Sequence, residues 1–190
     1  MANKKPFGNT NIYSAASMAM DMMEQGVKDG YLPTAEAFPH IPEIMAEARP
    51  VCVKLYALTA KWNKEENPKE YEGVQLMDSV LRMCFYTGMG AVFLWNEDWN
   101  TLQEKGIFNA LAEPRGWVNM DEYAMHLAGA DYHSEAGDAL EEHCLAVRVP
   151  LLQYVLKQKT YDDVAEQIIE CTMAMYYYGM ILGMSRLGMH

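Results

Sequence analysis

Six side chains in one stretch of the chain have the types and spacing to hold a metal ion: Glu122, His126, His133, Asp138, Glu142 and His143. Carboxylate oxygens and imidazole nitrogens together suit hard and borderline divalent cations. Glu122 and His126 stand four apart, which places them on one face of a helix. Asp138 and Glu142 repeat that spacing further on, with Glu135 one turn earlier. Two such helices could share one divalent metal ion. The pattern departs from di-iron carboxylate bundles, which carry Glu-x-x-His motifs on two helices; this chain has no Glu-x-x-His.

A simpler reading covers the same residues. From Glu97 to Glu142 eleven acidic side chains face only Lys105 and Arg115. Solvated helix faces are often acidic, and Asp98, Asp121, Ser134 and Glu135 already have roles at helix starts. His143 adjoins the apolar stripe Leu140, Cys144, Val147 and Leu151, where it can be a partly buried histidine. The acidic face is therefore preferred, with no cofactor, and the metal-dependent enzyme or sensor is the alternative.

A third reading is an apolar ligand pocket lined by Met and Tyr around Tyr86 and Tyr178. The run Tyr176-Tyr177-Tyr178 cannot form one stacking platform, because consecutive helical residues point about 100° apart. Sixteen methionines among 190 residues suit either a plastic groove or a core that uses Met in place of Leu; core packing is the expectation. Other chemistry is not signalled. The sequence has no GxGxxG, no P-loop and no GxSxG. Cys52, Cys84, Cys144 and Cys171 form no CxxC pair, which excludes a zinc ribbon by spacing and suits buried thiols in a reducing cytoplasm.

The elements that must position these groups are helical. Strand alternation is nearly absent, and apolar residues recur at spacings of three and four. A first helix is expected from about Tyr13 to Lys28. It carries Met18, Met20, Met22 and Met23 around its whole circumference, so it needs cover on more than one side. Short helices follow at Pro42–Ala48 and Pro50–Trp62, punctuated by prolines. Asn67-Pro68 signals a long helix over 68–95, with Val74, Met77, Leu81, Cys84, Gly88, Ala91 and Trp95 on one stripe. Asp98 caps a helix over 100–112, Asn119 starts one to Leu127, and Ser134 caps one over 135–158 that bends at Pro150. Thr160 with Asp162 and Asp163 starts the last, 161–185, with a stripe of Val164, Ile168, Cys171, Met175, Tyr178 and Leu182.

The helices over 68–95 and 161–185 are the most apolar. Each carries late glycines, and Phe85-Tyr86-Thr87-Gly88-Met89 echoes Tyr176-Tyr177-Tyr178-Gly179-Met180 at an offset of 91. Glycine costs about 1 kcal/mol in a helix relative to alanine, so close helix–helix approach must offset it. Asp78 and Arg82 are the only charges from Val74 to Trp95, and their spacing suggests an ion pair with each other.

The expected fold is all-α: a single domain over 1–190, an orthogonal or bundle-like array of six to eight helices around two central apolar ones, with 1–10 a flexible tail. The net charge of −11 excludes a phosphate-backbone binder. No uncharged run exceeds 15 residues, short of the roughly 20 that span a bilayer. No nucleic acid and no membrane are expected as partners. The apolar helical surface points to a cytoplasmic, non-enzymatic module that self-associates, as a homodimer, or docks a partner.

Overall fold

The computed structural model describes residues 28, 41–66, 74–156 and 161–188. Among them the chain is helical, with no strand: α1 (Ile41–Glu66), α2 (Val74–Glu97), α3 (Trp99–Lys105), α4 (Ile107–Ala112), a 3-10 turn (Trp117–Asn119), α5 (Met120–Leu127), α6 (Glu135–Leu156) and α7 (Tyr161–Arg186). The expected helix over 13–28, its methionines and the tail over 1–10 lie outside the described residues, except for Lys28.

The core is laid around α2, which packs against every other helix, most extensively against α7. The long helices α1 and α6 each touch both members of this pair. The stripe read from the sequence is buried from Met77 to Trp95, while Val74 at its start is exposed. Among the described residues eight methionines, including Met89, Met175, Met180 and Met184, are buried in this core, as a Met-for-Leu interior requires.

Glycine makes the central approach. A Cβ at Gly88 would lie 2.0 Å from the carbonyl oxygen of Tyr176, and one at Gly179 would lie 1.9 Å from that of Phe85. The two contacts are reciprocal at the 91-residue offset, since Phe85 corresponds to Tyr176 and Gly88 to Gly179. Gly183 continues the series against Met89 and Val92. Contacts thus advance together along both helices, as in a parallel pair. The echoed pentapeptides meet each other about a local pseudo-twofold axis.

Two boundaries differ from expectation for physical reasons. Residues 41–66 form one helix, not two, with Pro50 inside it. Proline removes an N–H and displaces the carbonyl four residues back; Ala46 and Pro50 lie on an exposed face, where water can serve that carbonyl. Pro150 sits inside α6 on the same terms, with Ala146 exposed. The helix expected over 100–112 is split by Gly106, whose φ of 74° no helix accepts. Asp98 and Ser134 do cap: Thr101 N donates to Asp98 Oδ1 at 3.1 Å and Gly137 N to Ser134 Oγ at 3.0 Å. Asn119 does not; its side-chain amide donates back to Arg115 O.

Candidate functional site

Where α2, α5 and α6 meet, the core contains charge. Arg82 projects from the apolar run of α2 and is surrounded on three sides. Its Nη1 donates to Asp121 of α5, its Nε to Glu141 Oε2 of α6 at 3.2 Å, and its Nη2 to the Tyr132 hydroxyl at 2.9 Å. Tyr86, one turn along α2, donates its hydroxyl to the same Glu141 oxygen at 2.8 Å. The other oxygen of Glu141 accepts from Arg148 Nη2 at 3.1 Å. Arg148 Nε lies 3.0 Å from Asp78 Oδ1, off the line of its N–H. Glu141 therefore bridges two guanidinium groups, and five charged residues from three helices form one network.

Burial makes the network rigid. The side chains of Arg148, Asp121 and Arg82 are 6%, 10% and 18% exposed. Such groups persist inside a fold only when paired and hydrogen-bonded. Burial opposes the Arg82 charge, but Asp121 and then Glu141 outweigh it and hold the guanidinium protonated beyond its ordinary range. Burial, and then the bond to Glu141, push the Tyr86 hydroxyl up. Burial pushes the Cys144 thiol, 3.9 Å from Arg148 Nη1, up to about 12, against the pull of that cation. The tyrosine and thiol are thus kept protonated, the opposite of what a nucleophile or neutral-pH base needs. The arrangement is suited to latching α5 and α6 onto α2.

The sequence reading missed this cluster. Asp78 and Arg82 do not pair with each other: Asp78 reaches Arg148, and Arg82 reaches Asp121 and Glu141. The available signal was a lone cation inside an apolar run, which Arg148 shows among Leu145 to Leu152 as clearly as Arg82 does in α2.

The six candidate metal ligands are spread over the surface. Glu122, His126, His133, Asp138, Glu142 and His143 are all exposed. His126 Nδ1 lies 2.9 Å from Asp131 Oδ1, and the His133 ring packs edge-on to Tyr132 at 5.0 Å. Among the described residues no three His, Cys, Asp or Glu side chains converge to hold a metal ion. Of the residues expected to line an apolar pocket, Tyr86 is fully buried with its hydroxyl in the charge network, and Tyr178 is partly buried and packs on Phe85 at 5.8 Å. Tyr176 donates to Ile44 O at 3.4 Å, a structural role.

Two surface features stand out among the described residues. The outer face of α6 exposes Leu145, Ala146, Val149, Pro150 and Gln153, while Arg148, the only charge from Cys144 to Val155, points inward. A cleft of about 280 Å³ lies between the start of α1 and the α3–α4 corner. No protein-family model, no curated protein and no solved structure matches this chain. No helix among the described residues is long and apolar enough to cross a membrane.

Proposed function

We propose that the chain is a non-enzymatic helical module that pairs with a second copy of itself through the outer face of α6. The observation that carries this reading is the exposed face of α6 made by Leu145, Ala146, Val149, Pro150 and Gln153, which carries no charge. Of the exposed large apolar residues among those described, Val53, Val74, Val118, Tyr132, Leu145 and Val149, only Leu145 and Val149 stand one turn apart on one helix. A chain with a net charge of −11 repels its own copies over most of its surface. An uncharged helix face is where two copies can meet without that cost. A twofold pairing would set the same patch against itself and bury Leu145 and Val149 from both sides.

Sedimentation velocity tests this on the full chain. A dimer that dissociates on dilution below about 100 µM is expected. Leu145→Glu and Val149→Glu should each give monomers with unchanged helicity and melting, because exposed substitutions rarely shift stability by more than about 0.5 kcal/mol. A wild-type chain that stays monomeric up to about 1 mM, tenfold above that concentration, overturns the proposal, as does a Val149→Glu chain that associates as well as wild type.

A further inference from the structure

The cleft beside α1 has a built-in polarity. Ile44, Leu102 and Ile107 are buried at its floor, and the partly buried indole of Trp99 forms a wall. Glu43 and Glu47, one turn apart on α1, stand exposed at its mouth with Gln103. The lining contains no Lys or Arg, and among the described residues neither glutamate has an ion-pair partner; the nearby cations Lys105 and Arg49 bind Glu113 and Glu170. The volume, about 280 Å³, is just under the range usual for small-molecule clefts, about 300–1,000 Å³.

We propose that this cleft binds a small organic cation: a compact apolar body ending in one ammonium group. The apolar floor takes the body, since burying aliphatic or aromatic surface there removes it from water. The carboxylates take the charge. Glu43 lies in the first turn of α1, where the helix dipole already favours an anion. Glu47, a turn further on, adds a second carboxylate at the mouth. The indole of Trp99 adds an electron-rich face, the best side-chain surface for a cation. The protein itself shows the contact further along α1, where Lys54 Nζ sits 3.8 Å from the centroid of the Phe108 ring of α4. The negative net charge raises the local concentration of such a ligand, and salt weakens its capture.

The test is an NMR titration of the full chain with phenethylammonium chloride, and in parallel with 2-phenylethanol, its uncharged counterpart. The Trp99 indole N–H (assigned with Trp99→Phe) and the Gly106 amide should move together and saturate with the amine. The alcohol should bind about tenfold more weakly, and Glu47→Gln should weaken the amine about fivefold or more while leaving the alcohol unchanged. No saturable shift at millimolar amine overturns the proposal. Equal affinity for amine and alcohol overturns it too, and that comparison needs no variant.

Discussion

Replacing Gly179 by alanine sets two effects of opposite sign against each other. In an isolated helix the change stabilises by about 1 kcal/mol. In this protein the new methyl would lie 1.9 Å from Phe85 O, on a backbone that no rotamer change can move aside. Real Cβ contacts essentially never fall under 3.0 Å, so α2 and α7 must part by at least about 1 Å at the crossing. Overpacking typically costs about 1–3 kcal/mol where side chains yield. Here backbone must yield, and the core around Tyr176 and Met180 loses contacts as it does. A net loss of about 2 kcal/mol or more is expected, after the propensity gain is subtracted. Urea unfolding should show it as a midpoint lowered by roughly 1 M, for a slope of about 2 kcal/mol/M. Gly88→Ala should behave alike, through Tyr176 O at 2.0 Å. The double variant should cost less than the two losses together, because helices parted for one methyl already admit the other. Gly183→Ala is the control: its nearest contacts are 3.1 Å and 3.3 Å, so propensity and crowding should nearly cancel. If Gly88→Ala and Gly179→Ala are as stable as wild type, the reasoning is refuted.

Two further outcomes follow from the buried charges and thiols. Arg82→Met leaves Asp121 and Glu141 without their shared cation and should cost about 3 kcal/mol in urea unfolding. Arg82→Lys should restore little of it, since one ammonium cannot reach Asp121, Glu141 and Tyr132 as the guanidinium does; a loss under 0.5 kcal/mol for Arg82→Met would contradict the latch. Burial holds the Cys144 and Cys171 thiols up at about 12, against an ordinary 9.0. The unfolded chain therefore releases these protons first, so stability is fully present below pH 9 and is lost as pH rises from 9 toward 12. Urea midpoints between pH 8 and pH 10.5 should fall on the alkaline side, and less so in Cys144→Ala/Cys171→Ala; an equal fall in both would show that these thiols are not responsible.

The central pair was legible because its signals are local. The long uncharged runs and the late glycines each lie within one helix, the pentapeptide echo needs only two short segments to be compared, and the glycines have a physical cost that close packing explains. The stripe of α7 was less legible. Tyr178 and Leu182 are only partly buried, whereas Tyr176, Gly179 and Gly183, off the stripe, are buried. A helix covered by α1, α2 and α6 buries more than one side, so periodicity no longer marks a face. Among the described residues the six candidate ligands do not converge, because i,i+4 spacing places two groups on one helix and says nothing of which way that helix turns. Glu122 and Asp138 both face water. The charge network was hidden for the converse reason: Arg82 finds its partners 39 and 59 residues away, beyond any local rule.

The most direct test of the account is an NOE measurement on the full-length, isotope-labelled chain. The reciprocal crossing predicts cross-peaks from Gly179 Hα to the Met89 amide proton and from Gly88 Hα to Tyr176 Hα, both across the α2–α7 contact. Their absence, or cross-peaks joining Gly88 and Gly179 to α1 or α6 instead, would contradict the central packing on which the latch and the exposed α6 face depend.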